Sequence, residues 1–324
     1  MSFSSEEIAQ LLTIGVPADG DLSAIEELQP GGVILFERNA GPRAEVRRLT
    51  RKIEAVCKVA PLISIDQEGG RVQRLKDGFT RIPPMRELAA RGANEVSLAA
   101  MNVAAELRAV GIHCNLAPVC DVPTHRDDSI IGDRAFSSDP IEASLFAAEY
   151  IRGAQPSVLC VAKHFPGHGA VGIDSHLALP TYTSTRAELE EVHLAPFRAA
   201  IGAGVGGIMM GHIAMPDIDA SGTPASLSYP VVTGILREQL GFRGLVFTDD
   251  LEMKALPQDD IGNVAVQAVA AGCDVLLICH TPEKARAARD AILNAANSGA
   301  LDQTRVRDSL NRVTWAKRKF GVLT

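Results

Sequence analysis

Three short stretches of this 324-residue sequence carry side chains suited to nucleophilic or proton-transfer chemistry. Thr248-Asp249-Asp250-Leu251-Glu252-Met253 follows the apolar run 244–247, so the Asp249 carboxylate leaves a rigid segment. Such a group serves as nucleophile, general base or metal ligand; the plainer alternative is that Asp249 and Asp250 cap the next turn. Asp174-Ser175-His176 lies in a loop with Gly167, Gly169 and Gly172. An imidazole titrating near ~6.5 both donates and accepts a proton at neutral pH. A carboxylate two residues away can fix its tautomer, and the glycines suit a mobile acid/base loop. A bare loop histidine, by contrast, is structural or solvated. Lys163 and His164, with Asp66, Arg74 and Arg134, form a set able to bind hydroxyls and carbonyls, although each arginine alone reads as a surface ion-pair partner. His164, His168, His176 and His212 with Asp249 are the donors a divalent metal would use. Pro166-Gly167 breaks the helix that would put His164 and His168 on one face, so chemistry without a metal cofactor is expected.

Eight apolar, β-branched-rich runs position these residues: 11–16, 32–36, 62–66, 112–119, 158–164, 206–212, 245–249 and 274–279. They are nearly continuously apolar rather than alternating, as parallel strands covered on both faces require. Most gaps hold a helix. Asp139-Pro140-Ile141-Glu142 supplies an N-cap, a proline at N1 and a carboxylate at N3, with Gly153 to end that helix. Thr185-Arg186-Ala187-Glu188 opens another, which Pro196 should kink. The stretch 87–110 reads as one helix ending at Gly111, 302–320 as a final helix carrying Trp315, and 21–29 has room for two turns. The pattern predicts a single-domain (β/α)8 TIM barrel over residues 1–324. The rival is a doubly wound open sheet, but no Gly-x-Gly-x-x-Gly follows the first strand and no Walker-type Gly-Lys-Ser/Thr occurs. Asp66, Asp121, His164, His212, Asp249 and His280 all fall at the C-terminal ends of runs, whose N-terminal ends are largely apolar or glycine. That asymmetry is the mark of an enzyme's catalytic face.

Composition narrows the partners. The net charge is −7 and aromatics make up 4%, which excludes nucleic acid and anionic membranes as partners. Residues 1–15 lack a cationic start and an apolar core, and no apolar run approaches the ~18–20 residues that span a bilayer. The six cysteines include no Cys-x-x-Cys and read as buried reduced thiols. A cytoplasmic, monomeric enzyme is expected.

At the residues that carry the chemistry, the sequence resembles the family 3 glycoside hydrolases, specifically the single-domain bacterial β-N-acetylglucosaminidases. The matching segments are Asp66-Gln67-Glu68-Gly69-Gly70-Arg71-Val72-Gln73-Arg74, residues 132–136, Lys163-His164-Phe165-Pro166-Gly167-His168-Gly169 with Asp174-Ser175-His176, and residues 248–253. The resemblance implies that Asp249 is the nucleophile and His176 the acid/base with Asp174 as its partner. It further implies that Asp66, Arg74, Arg134, Lys163 and His164 hold N-acetylglucosamine. The implied substrate is N-acetylglucosamine β-1,4-linked to anhydro-N-acetylmuramyl peptides met in cell-wall recycling, cleaved with retention through a glycosyl-aspartate. A phosphorylase using phosphate as acceptor, a metallohydrolase and a silent sugar-sensing barrel are the alternatives. Few aromatics suit a small pocket gripping one terminal sugar better than a groove for polymer.

Overall fold

The computed structural model describes residues 2–124, 130–171, 175 and 177–323. Asp174 and His176, both expected in the site, lie outside the described residues. In chain order the elements are α1 (Ser5–Ala9), β1 (Leu12–Gly15), α2 (Ser23–Leu28), β2 (Gly32–Leu35), α3 (Arg43–Val56), β3 (Leu62–Ile65), β4 (Gln67–Gly69), β5 (Val72–Gln73), α4 (Met85–Ala89), α5 (Ala93–Ala109) and β6 (Cys114–Asn115). They continue with α6 (Pro140–Ala154), β7 (Leu159–Phe165), α7 (Arg186–Glu188), α8 (Ala195–Gly202), β8 (Gly207–Met210), β9 (Leu245–Asp250), α9 (Ile261–Ala271), β10 (Val275–Ile278), α10 (Pro282–Ser298) and α11 (Gln303–Lys319).

Eight of the strands close into one parallel barrel, in the order β1-β10-β9-β8-β7-β6-β3-β2, and each coincides with one of the eight apolar runs. β4 and β5 form a separate antiparallel hairpin that the alternation of apolar residues does not announce. The barrel interior is filled by Ile34, Leu62, Leu116, Val161, Met209, Phe247 and Leu277, and Val313 and Ala316 of α11, with Phe320 at its C-cap, join this cluster from below. The last helix therefore plugs the N-terminal end of the barrel, and the mouth opens at the other.

The helices form where caps and apolar spacing coincide. Asp139 accepts from the Ile141 and Glu142 N–H groups and opens α6 as expected; the helix runs through Gly153 to Ala154. Thr185 accepts from the Glu188 N–H, and the chain then passes through a π-helical turn, Leu189–His193, before α8 begins with Pro196 in its first turn. Residues 87–110 are two helices, not one: Gly92, at φ +108°, breaks the run between α4 and α5. The fourth barrel strand is also shorter than the run 112–119. β6 pairs over two residues, Ala117-Pro118 cannot donate to the ladder at the proline, and pairing resumes only as a bridge from Val119 to Lys163. On the outside, α9 turns Ile261, Val264, Ala265, Ala268 and Val269 inward at helical spacing. Each such valine or isoleucine contributes about 1.5–3 kcal/mol when fully buried.

Candidate active site

The ends of β3, β7 and β9 converge on a cavity of about 280 Å³ whose lining includes Asp66, Glu68, Arg74, Arg134, Lys163, His164 and Asp249. All six of the expected residues that the structure describes thus meet in one place. β7 contributes two neighbours, Lys163 and His164, because its pairing register with β8 slips between Ala162 and Phe165. A regular strand would point only one of them inward.

Glu68 is the hub of the floor, and the sequence reading did not single it out. Its carboxylate accepts a bidentate pair from Arg134 Nε and Nη2, both at 2.8 Å, and lies 2.6 Å from Lys163 Nζ. Lys163 Nζ also donates to Asp66 Oδ1 at 2.7 Å, and Arg74 reaches Asp66 Oδ2 at 3.3 Å. Glu68 and Lys163 are only 2% and 3% exposed. Burial would raise the Glu68 carboxyl, but Lys163 and Arg134 hold it well below the ordinary carboxylate range. Burial likewise favours neutral Lys163, and the Asp66 and Glu68 charges override it and raise its pKa. Glu68, Lys163 and Arg134 are therefore ionised at neutral pH, and the network aims its donors and acceptors at one small space.

The hairpin β4/β5 explains the alternation. Gln67 turns away from the cavity, bonding Leu75 through both its amide atoms, while Asp66 and Glu68 turn toward it. This period-two placement beside Asp66 is the signal that could have revealed Glu68.

Asp121, at the end of the fourth run, holds the β7 end in place. It accepts from His164 Nδ1 at 2.7 Å and from the His164 and His168 backbone N–H groups. Burial pushes the Asp121 carboxyl up, and the two imidazoles more than offset it, leaving it depressed. The His168 pKa is also lowered, by burial and by His164. Its Nε2 lies 3.1 Å from Ser175 Oγ, and Ser175 O accepts from the Ala255 N–H. Ser175 is thus anchored between His168, just after β7, and Ala255 in the turn after β9, and Ala255 is two positions along the chain from cavity-lining Met253.

Asp249 takes a backbone N–H from Asp250 at 2.8 Å on Oδ1. Its burial raises the carboxyl, but His164, His212 and that N–H bring it below its ordinary value, so a carboxylate faces the cavity at neutral pH. His212 is committed elsewhere, with Nδ1 2.7 Å from Ser226 Oγ and Nε2 3.0 Å from Asp250 O. Among the described residues no three His, Cys, Asp or Glu side chains are grouped to hold a metal ion. No helix among them is long and apolar enough to cross a membrane.

A half-buried carboxylate at a barrel mouth, facing a net of charged donors and acceptors, is an arrangement suited to a glycoside hydrolase. The sequence agrees over its length. The model of the glycosyl hydrolase family 3 N-terminal domain matches residues 4–316, and the chain belongs to that family. It is 41% identical over 267 residues to a beta-hexosaminidase of Nitrosomonas eutropha, covering 79% of this chain and 75% of the relative. A beta-hexosaminidase of Stenotrophomonas maltophilia is 39% identical over 308 residues, 90% of each chain. Among solved structures, a family 3 beta-N-acetylglucosaminidase from Paenibacillus superposes with a TM-score of 0.95 at 38% identity. This chain is covered to 99% there but spans 63% of that longer protein. A beta-N-acetylhexosaminidase from Beutenbergia cavernae gives 0.91 at 30% identity, with 98% and 99% covered.

Proposed function

We propose that this glycoside hydrolase is a retaining exo-β-N-acetylglucosaminidase acting through a glycosyl-aspartate at Asp249. The observation that carries the reading is the half-buried, ionised Asp249 opposite the Asp66–Lys163–Glu68–Arg134 net in one cavity of about 280 Å³. That volume falls just below the usual range of small-molecule pockets, about 300–1,000 Å³, and suits one sugar ring rather than a polymer. The relatives named beta-hexosaminidase support an N-acetylhexosamine as that sugar.

In the first step Asp249 attacks the anomeric carbon while His176 gives its proton to the departing oxygen. In the second His176, oriented by Asp174, takes a proton from water, which releases the sugar with its original configuration. Asp66, Arg74, Arg134, Lys163 and His164 hold the N-acetylglucosamine. The acid/base comes from the loop after β7, and the anchoring of Ser175 beside the cavity supports this assignment. The substrate we infer is the N-acetylglucosaminyl-anhydro-N-acetylmuramyl peptide of cell-wall recycling, cleaved in the cytoplasm by a monomeric single-barrel enzyme. The test is product analysis of that disaccharide peptide by mass spectrometry and proton NMR, with and without phosphate. β-N-acetylglucosamine released at equal rates in both supports the reading. An α-anomer as first product contradicts retention, and a sugar phosphate makes the enzyme a phosphorylase.

A further inference from the structure

β10 delivers an imidazole to the cavity that the reaction above does not use. His280 lines the same space as Asp249, yet its side chain is 52% exposed, against 2–3% for Glu68 and Lys163 at the floor. Depth assigns the ends of a substrate. An exo-acting pocket buries the terminal sugar, so what passes Asp249 toward solvent is the leaving group. His280 stands on that outward rim, with Phe36 and Arg38 beside it.

Arg38 is built into the rim. Its Nε donates to Val16 O at 2.7 Å, its Nη2 to Cys279 O at 3.1 Å, and its guanidinium lies 4.4 Å over the Phe36 ring. Gly15 makes room for this, since a Cβ there would sit 2.1 Å from Cys279 O and 2.8 Å from Arg38 Nη2. These contacts leave Nη1 for His280, whose Nδ1 is 3.5 Å away. His280 Nε2 faces Asp250 Oδ2 at 3.3 Å, and its ring lies 5.5 Å from that of Phe36. While the imidazole is neutral with its proton on Nε2, Nδ1 accepts from Arg38 and the pair is closed on itself. Once it is protonated, Nδ1–H and Nη1–H are two donors side by side, backed by Phe36 and open to solvent.

The carboxylates nearby are already engaged. Asp250 Oδ1 takes the Glu252 and Cys279 N–H groups, and Glu252 Oε2 takes those of His280 and Thr281, with Lys284 Nζ 3.8 Å from Oε1. Counting Arg38, protonated His280 and Lys284 against Asp250 and Glu252 leaves one positive charge at the rim. We propose that Arg38 and His280 form a leaving-group subsite for a carboxylate, so that the enzyme prefers acidic leaving groups to neutral ones. The subsite rests on the glycosidase reading and names the chemistry of its second half. The Asp250 hydrogen bond raises the His280 pKa; burial and Arg38 lower it, and the Asp250 and Glu252 charges raise it further, for a net upward shift. A bound carboxylate would raise it again by linkage.

The test compares kcat/KM for 4-carboxyphenyl β-N-acetylglucosaminide and its methyl ester, in the unaltered protein and in Arg38→Gln, Arg38→Lys and His280→Asn. The carboxylate-to-ester ratio is expected to fall about tenfold in Arg38→Gln and in His280→Asn, the loss of one charge-assisted hydrogen bond, and to recover in part in Arg38→Lys. In the unaltered protein it should also decline as pH rises through the His280 titration, and in His280→Asn that pH dependence should vanish. Ratios equal in all four proteins, with both substrates turned over, would overturn the subsite and leave the glycosidase standing. No turnover of either substrate by the unaltered protein would remove the glycosidase reading and the subsite with it.

Discussion

The barrel carries a buried ion network at each end, and the two are built alike but finished differently. At the closed end, Asp274 accepts from Arg237, Arg305 and Arg312, from Ser309 Oγ at 2.7 Å and from the Val246 N–H at 3.0 Å. Two of those arginines and the serine come from α11, so this carboxylate ties the plug to the start of β10. At the open end, Glu68 and Asp66 gather Arg134, Lys163 and Arg74, but a cavity rather than a helix lies over them. Each network holds one carboxylate ionised by the same means, since Glu68 and Asp274 are each depressed by adjacent cations against the effect of burial. A perturbed carboxylate therefore does not by itself mark a site. What separates the two is whether their remaining donors and acceptors face protein or space.

Substitutions can break this comparison at several points. The largest effect belongs to the proposed nucleophile. Asp249→Ala should lower kcat/KM on an aryl β-N-acetylglucosaminide by about 10⁴-fold or more, as loss of a nucleophile does. Turnover within tenfold of the unaltered protein would remove Asp249 from that role. His176→Ala should cost about 10²–10⁴-fold on natural leaving groups, the usual worth of general acid catalysis, and far less on activated aryl ones. Equal losses on both would show that His176 does not protonate the leaving oxygen.

The two network carboxylates should then part company. Glu68→Gln leaves Arg134 and Lys163 without their shared anion, and we expect kcat/KM to fall about 10²-fold as they drift from the proposed sugar site. Asp274→Asn strands three guanidinium groups at the plugged end. It should cost about 3–5 kcal/mol in denaturant unfolding while kcat per folded molecule is unchanged. If Asp274→Asn instead cut kcat with full stability, the division between the two ends would be wrong.

The smallest effect is a pH dependence. Glu68, Asp121 and Asp274 all have folded pKa values below their unfolded ones. Their contribution is complete above the unfolded carboxylate value of about 4 and is lost as pH falls through the depressed folded values. The unfolding free energy should accordingly be flat near neutrality and drop steeply on acidification, with a shallower drop in Asp274→Asn.

Much of this was legible in the sequence because the barrel strands are locally determined. Each run is apolar on both faces, and its polar end residue marks the mouth directly. Other features depend on partners remote in the chain. Asp274 opens its strand at an end where charge was not expected, and only the return of Arg305, Ser309 and Arg312 on α11 accounts for it. Glu68 stands two residues from Asp66, yet its importance lies in Lys163 and Arg134, brought to it by β7 and by the loop before α6. The split between α4 and α5 was missed because Gly92 is compatible with a helix by composition and is excluded only by its positive φ.

The most direct measurement is covalent trapping. The protein would be incubated with a 5-fluoro-N-acetylglucosaminyl fluoride, which forms the glycosyl-enzyme quickly and releases it slowly, then digested and mapped by mass spectrometry. The expected result is one added N-acetyl-5-fluoroglucosaminyl group, on the peptide containing Asp249 and on that residue. A label on another carboxylate, or inactivation without any covalent adduct, would contradict a glycosyl-aspartate at Asp249.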